Sequence, residues 1–174
     1  MKKIRLITLL TLFTTLSFSQ ENPKLKIHSL GVGFGFFVAE YKFSGLCSLL
    51  DCTIEYDKNL LSLNYLDGSE ISIDIFYSSP KNHVNELNLQ YGRELKVTNW
   101  FSVESFAGIG NYRLNTRLSF FPLPKTSVIS IPIRVKLLFY TGKGKHFAIS
   151  SNNNYSINKL NSNFSSNLTF QYNF

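Results

Sequence analysis

Apolar and polar residues alternate along most of this chain with a period of two. The alternation is clearest over 128–140, where Ile129, Ile131 and Ile133 alternate with Ser130 and Arg134. Successive side chains of an extended strand point to opposite faces, so this period predicts β-strands. The sequence therefore predicts an all-β protein. Its eight expected strands cover 25–39, 54–66, 69–77, 86–95, 100–111, 128–140, 146–155 and 164–174.

The connections between these strands alternate in length. Longer ones are expected at 40–53, 78–85, 112–127 and 156–163, and shorter ones at 67–68, 96–99 and 141–145. Outer-membrane barrels alternate short periplasmic turns with longer external loops, and a tilted strand of about ten residues crosses a bilayer. The pattern predicts a single antiparallel eight-stranded up-and-down transmembrane β-barrel. Two details are specific: Asp67-Gly68 is a tight-turn signal, and Pro132 requires a bulge or a missing ladder bond.

The first twenty residues have a different composition from the rest of the chain. Lys2, Lys3 and Arg5 precede an apolar run, and small residues follow at Ser17 and Ser19. This order is typical of a secretory signal peptide. We therefore expect a signal peptide over 1–20 and one exported barrel domain over 21–174.

The last strand has one apolar and one polar face. Phe170, Tyr172 and Phe174 share the apolar face. Together with the signal peptide and the 128–140 strand, this ending resembles the small outer-membrane β-barrel family of Gram-negative bacteria, which includes OmpA-like and OmpX-like eight-stranded proteins. The resemblance implies a location in the cell outer membrane, a filled polar lumen without a wide pore, and contact with outer-membrane lipid. It also implies that Phe170, Tyr172 and Phe174 are an assembly signal for the barrel-assembly machinery.

Charge is distributed unevenly along the chain. The formal net charge is +7, and all eleven acidic residues lie at or before Glu104, whereas eight basic residues follow it. Such asymmetry can mark a nucleic-acid-binding arm. In an exported protein we expect no nucleic-acid partner and favour charge pairing across the barrel lumen. A connection centred near residue 119 would place Glu104 opposite Arg134, and Asp74, Glu94 and Lys136 would extend this network.

The 112–127 connection combines basic, aromatic and proline residues. Arg113, Arg117 and Lys125 give it three positive charges. Arginine binds phosphate through two parallel hydrogen bonds, so an external basic loop would suit lipopolysaccharide or an unknown extracellular protein partner. A solvated loop that folds back on the rim is an equal alternative.

Cys47 and Cys52 are the two cysteines of the chain. In an exported protein, two neighbouring cysteines favour a disulfide. Two unpaired thiols are the alternative.

Catalytic chemistry has weaker sequence signals. His28, His83 and His146 lack metal-ligand spacing, so no metal site, cofactor or enzymatic activity is expected. The preferred function is a structural or surface-interaction role. One alternative is a lipid-modifying enzyme that uses serine, histidine and aspartate, with His83 near Ser78 and Ser79. Another is a soluble exported lipocalin-like barrel, whose apolar face would point inward around an apolar ligand.

Overall fold

The computed structural model describes residues 25–40, 43–71, 81–118, 121–122, 126–142 and 144–174. The expected signal peptide, Asp74 and Lys125 lie outside these residues. Among the described residues, no helix is long and apolar enough to cross a membrane. The strands are β1 (Leu25–Ala39), β2 (Ser44–Tyr56), β3 (Asn59–Glu70), β4 (Lys81–Lys96), β5 (Phe101–Leu118), β6 (Phe121–Pro122), β7 (Thr126–Thr141), β8 (Phe147–Asn158) and β9 (Asn163–Asn173).

Eight long antiparallel strands form a closed barrel, and β6 is a two-residue strand paired with the end of β5. Closure occurs because β1 pairs with both β2 and β9. Gly33 lies opposite Leu49 on one side and opposite Thr169 on the other. A closed barrel has no free strand edge that could pair with another chain. The predicted eight-stranded up-and-down barrel is thus confirmed.

The two ends of the barrel differ in their connections. At one end, which we call the turn end, short turns join β2 to β3, β4 to β5 and β7 to β8. At the other end, the loop end, β1 joins β2, β3 joins β4, β5 joins β7, and β8 joins β9. Each strand therefore presents one of its termini to each end of the barrel.

The outer face of the barrel is apolar and the inner face is largely polar. Ile129 is 77% exposed and Phe34 is 65% exposed, whereas Arg134 and Lys136 are buried in the lumen. A soluble barrel that holds an apolar ligand would need the opposite arrangement, because its apolar face would line the cavity. The lipocalin-like alternative is therefore wrong.

The boundary between β2 and β3 differs from the prediction. The hairpin turn is Asp57-Lys58, with φ of 45° and 69°, and β2 already begins at Ser44. Positive φ at both central residues is the requirement of a two-residue hairpin turn of type I′. Asp67-Gly68 instead lies inside β3. Gly68 faces the lumen, where an added Cβ would lie 2.8 Å from a ring carbon of Phe37, so this glycine makes room for packing.

Pro132 interrupts a ladder without shifting its register. The β5–β7 partners run to Ala107↔Ile133 and resume at Gly110↔Ser130 in the same register. On its other side, Pro132 lies opposite Ser156 of β8. The missing bond expected at Pro132 is accommodated by this local gap.

The loop end of the lumen is filled by apolar side chains. Phe37 and Phe43 pack edge to face, with ring centroids 5.9 Å apart. An apolar cluster at this level separates the polar lumen from the loop end, which argues against a wide pore. Its buried members are Phe37, Ala39, Phe43, Cys47, Leu49, Leu66, Val84 and Tyr112.

Candidate functional site

The lumen contains a buried charge network centred on Asp51. Oδ1 of Asp51 lies 2.7 Å from Nη1 of Arg134, and Oδ2 lies 2.9 Å from Nζ of Lys136. Ser62 Oγ also donates to Oδ1 over 2.6 Å. The three charged side chains are fully buried. Buried charges of opposite sign satisfy one another in a low-dielectric interior, whereas an isolated one is costly.

Glu104 joins this network through Lys136 and not through Arg134. Its Oε2 lies 3.0 Å from Nζ of Lys136, and the two residues are direct cross-strand partners. The β5–β7 register is therefore centred on residue 120, since Glu104 and Lys136 are equidistant from it. The predicted Glu104–Arg134 pair is wrong by a two-residue shift, which leaves every side chain on the same face. Phe106 is opposite Arg134 instead, and its ring centroid lies 4.3 Å from the guanidinium carbon.

A bulge brings His28 into the same network. The β1–β2 register shifts between Ile27 and Ser29, so that His28 turns towards the lumen. Its Nε2 lies 3.1 Å from Oε1 of Glu104, and its Nδ1 lies 3.2 Å from Oε2 of Glu55. The imidazole thus contacts a carboxylate on the adjacent strand β2 and, across the lumen, a carboxylate on β5.

The network reaches solvent at the turn end. Lys26 Nζ lies 3.0 Å from Oε2 of Glu55, and Tyr140 donates to Oε1 of Glu94 over 2.8 Å. Glu94, predicted to belong to the lumen network, therefore lies at its mouth, beside a small cavity of about 190 Å³. Mutually paired polar and charged groups run from the lumen centre to this mouth. The arrangement fills the lumen with mutually paired groups.

A second buried carboxylate lies apart from the cations. Glu86 accepts hydrogen bonds from Ser130, over 2.8 Å, and from Ser156. No ion pair among the described residues includes it. The sequence pattern singles out neither Glu86 nor Asp51, and the longer connection expected at 40–53 includes Asp51. The alternation of Leu46, Leu50 and Ile54 on the outer face of β2 was the available signal. No group of three metal-ligating side chains in the described part of the chain could hold an ion.

Polar side chains interrupt the apolar outer face near the loop end, across β3, β4 and β5. We call these residues the rim patch; they are Asp67, Ser69, His83, Asn85, Asn111 and Arg113. His83 Nδ1 lies 2.9 Å from Ser69 Oγ, and its Nε2 lies 3.0 Å from Asp67 Oδ1. Asn85 donates to Asp67 and lies directly opposite it. Ser78 and Ser79, the serines that the lipid-modifying alternative combines with His83, lie outside the described residues.

Arg113 is the basic residue of the rim patch. It lies within β5, opposite Asn85, and donates through Nε to Asn111 over 3.1 Å. The prediction that it belongs to a loop is wrong, because β5 extends to Leu118 and β7 begins at Thr126. A cavity of about 200 Å³ opens beside it. Its lining residues include Tyr65, Asn85, Leu87, Asn111 and Arg113. The side chains of Arg117 and Lys125 lie outside the described part.

The candidate disulfide does not form in this structure, where Cys47 and Cys52 are both free thiols. The two residues lie five positions apart on β2 and face opposite sides of the barrel. Cys47 points into the lumen and donates to Asn167 over 3.2 Å. Five residues of extended strand span about 16 Å, well beyond the reach of a disulfide.

The final strand, β9, closes the barrel against β1 and β8. Phe170 and Tyr172 lie on its outer face, Phe174 follows its last residue, and the three side chains are 55%, 40% and 60% exposed. The rings of Tyr172 and Phe174 pack edge to face with centroids 5.0 Å apart. The aromatic outward face of the last strand therefore agrees with the predicted alternation, and its role as an assembly signal stays a prediction.

No family model and no curated protein matches this sequence. Several solved structures nevertheless match its fold. Neisserial surface protein A (NspA) aligns with a TM-score of 0.71 at 6% identity, over 86% of this chain and 99% of that one. Ail of Yersinia pestis, in complex with the heparin analogue sucrose octasulfate, aligns with a TM-score of 0.61 at 15% identity, over 86% and 99%.

The outer-membrane enzyme PagL aligns with a TM-score of 0.50 at 14% identity, over 86% of this chain and 100% of that one. An enzyme is thus among the proteins of similar fold, so the fold does not decide whether this chain is catalytic. The alignments extend over nearly the full length of each of these proteins. This chain has the fold of the small eight-stranded outer-membrane β-barrels.

Proposed function

We propose that this protein is an integral β-barrel of the cell outer membrane, formed by residues 21–174 after removal of a signal peptide at 1–20. The observation that carries the proposal is the outward apolar face. Leu63, Leu89 and Ile133 lie on it, on three different strands, and each is about half exposed. Soluble proteins rarely expose large continuous apolar surfaces, whereas a membrane barrel needs one.

Aromatic residues at the turn end support a membrane boundary there. Trp100 packs on Phe101 and Phe139, with ring centroids 5.9 and 6.1 Å apart, and Tyr172 packs on Phe147 at 5.2 Å. Outer-membrane barrels carry aromatic girdles at both interfaces. This end would face the periplasm and the loop end would face outward.

The lumen favours a structural or surface role over transport. The Asp51 network and the apolar cluster around Phe37 fill its cross-section at two levels. Eight-stranded barrels have room for side chains and little else. The structural reading of the network is preferred to a gate or a proton path, because each of its charged groups already has a partner.

The surface role we propose is binding of phosphate groups of outer-leaflet lipid, including lipopolysaccharide, at the rim patch. Arg113 supplies a planar cation, and the amides of Asn85 and Asn111 lie beside it around the 200 Å³ cavity. Leu87, just below, is exposed and would contact acyl chains. Guanidinium groups bind phosphate in a bidentate manner. Arg117 and Lys125 would add positive charge, and an extracellular protein is a further proposed partner for this end.

A reconstitution experiment tests the lipid contact. Wild-type protein and the Arg113→Gln variant would be folded in detergent, and the amount of lipopolysaccharide retained after washing would be measured by phosphate analysis. The loss of one charge-assisted contact should weaken retention about tenfold. Arg93→Gln is the matched control, because Arg93 also donates to an asparagine but lies near the turn end. Equal retention by all three proteins would refute the proposed role of Arg113.

Biogenesis supplies a further proposed partner. Phe170, Tyr172 and Phe174 form an exposed aromatic group at the end of the closing strand, which suits recognition by the barrel-assembly machinery before closure. Deletion of Phe174 should therefore slow assembly in cells more than it lowers the stability of the folded barrel. Comparison of assembly in cells with refolding in detergent would measure the two effects separately.

A further inference from the structure

Three residues of the rim patch form a continuous series of close polar contacts from a serine through a histidine to a carboxylate. Ser69 Oγ lies 2.9 Å from Nδ1 of His83, and Nε2 of the same ring lies 3.0 Å from Oδ1 of Asp67. A serine becomes nucleophilic when a base accepts its proton and a third group orients that base. We propose that Ser69, His83 and Asp67 form a hydrolytic site for acyl esters of membrane lipid.

The strand register fixes this geometry. Ser69 and His83 are directly opposite on β3 and β4, and Asp67 precedes Ser69 by two residues on the same face. Asn85, opposite Asp67, lies 3.3 Å from Nε2 of His83 and 3.1 Å from the hydroxyl of Tyr65. All five residues belong to paired strands. Sites on paired strands are held more precisely than sites on loops.

The surroundings of Ser69 indicate a lipid substrate. The site lies on the outward face, where His83 and Asp67 are 37% and 40% exposed. Leu46, directly opposite Ser69 on β2, is 63% exposed, and Leu87 continues the apolar surface below the patch. An ester at the boundary between headgroup and acyl chain would therefore meet Ser69 with its chain along these leucines. This assignment rests on the proposed membrane location.

The reaction is an ordinary two-step hydrolysis. Ser69 Oγ attacks the ester carbonyl carbon while its proton passes to Nδ1 of His83. The bond between the carbonyl carbon and the alcohol oxygen breaks, and the alcohol leaves with that proton. Water then attacks the acyl-serine, gives a proton to His83 and releases the fatty acid, and the proton returns to Ser69. One ester and one water yield one acid and one alcohol, so no further reactant is needed.

The direct test is release of fatty acid by the full-length processed protein in lipid. Vesicles of phosphatidylethanolamine and phosphatidylglycerol form one arm and purified lipopolysaccharide the other. We expect acid release in at least one arm, with a loss of at least about 100-fold in Ser69→Ala and His83→Ala. Ser127→Ala is the matched control and should keep full activity, because the Ser127 hydroxyl donates to Asn111 over 3.0 Å and lies on the same rim.

A second measurement is independent of the lipid. A fluorophosphonate probe should label wild-type protein on the peptide that contains Ser69, and Ser69→Ala should not be labelled. Heat-dependent gel mobility would confirm that each variant is folded. Release of acid in one arm or in both supports the proposal and identifies the lipid class. Absence of release from folded wild-type protein in both arms overturns it, and so does labelling without release. Neither of these outcomes affects the barrel location or the contact at Arg113.

Discussion

The carboxylate of Asp51 lies 2.7 Å from the guanidinium of Arg134, although the two residues are 83 positions apart in sequence. Asp51 belongs to β2 and Arg134 to β7. In the closed ring β7 is four strands from β2 in either direction, so the contact spans the lumen. This pair therefore holds together opposite walls of the barrel.

Loss of the Asp51 charge should destabilise the barrel strongly. Asp51→Asn leaves Arg134 and Lys136 buried with one fewer partner, and loss of one member of a buried pair costs about 3–5 kcal/mol. The measurement is the free energy of unfolding in urea, followed by the fluorescence of Trp100. Asp57→Asn, at the exposed β2–β3 turn, is the control and should stay within about 0.5 kcal/mol of wild type. Equal stability of the two variants would refute the importance of the Asp51 network.

The partner of Glu104 can be identified from coupling free energies. A double-mutant cycle between Glu104→Gln and Lys136→Met should give a coupling of about 1–3 kcal/mol, because the two groups lie 3.0 Å apart. The same cycle with Arg134→Met should give a smaller coupling. A larger coupling free energy with Arg134→Met than with Lys136→Met would instead support the register centred on residue 119. Glu86→Gln serves as the carboxylate control, because its hydrogen bonds come from the Ser130 and Ser156 hydroxyls.

The strand count and the faces of the strands could be predicted from the sequence, because the period of two survives small errors in position. The register could not be predicted in the same way. A shift of two residues keeps Glu104 and Arg134 on the inner face, so alternation alone does not distinguish it from the observed register. The exact pairing depends on where each turn begins and ends. Asp67-Gly68 has the sequence of a tight turn, but the glycine is there because it packs against the Phe37 ring inside β3.

Both cysteines should carry free thiols in protein prepared without reductant. After unfolding, alkylation should add two groups per chain, measured by intact mass, since the two residues face opposite sides of β2. If the unfolded protein is alkylated at its cysteines only after reduction, the result would contradict the strand assignment of 44–56.

Gly68 should tolerate no side chain while Phe37 is present. Gly68→Val places atoms against the Phe37 ring and should lower the unfolding free energy by about 1–3 kcal/mol. The Phe37→Leu background should relieve part of this loss, because the clash comes from the aromatic ring. Equal losses in both backgrounds would show that Gly68 does not pack against Phe37.

The rim patch could be predicted only in part. His83 was recognised together with Ser78 and Ser79, because sequence proximity was the only available guide. The serine that contacts it, Ser69, is fourteen residues away and becomes its neighbour through β3–β4 pairing. The sequence indicates the positive charge of Arg113 but predicts a loop there, because the Arg and Pro residues of 112–127 do not show the alternation that would indicate a longer β5.

The outward face of the barrel should also reject charge at its centre. Ile133 lies midway along β7, so Ile133→Arg should destabilise the folded protein in lipid by about 2–4 kcal/mol. Ile133→Ala is the control for lost side-chain volume. The ratio of folded to unfolded bands after refolding into vesicles measures the effect, and equal ratios would argue against contact with lipid.

The most direct test of a membrane-spanning barrel is the accessibility of single spin labels in a variant without cysteine. Labels at Leu63, Leu89 and Ile133 would be placed in lipid vesicles, and collision rates would be measured with oxygen and with a water-soluble nickel complex. The outward orientation predicts that oxygen collisions dominate at all three positions, because oxygen concentrates in hydrocarbon. Dominant collisions with nickel at these positions would show that the apolar face meets water, and would contradict a membrane-spanning barrel.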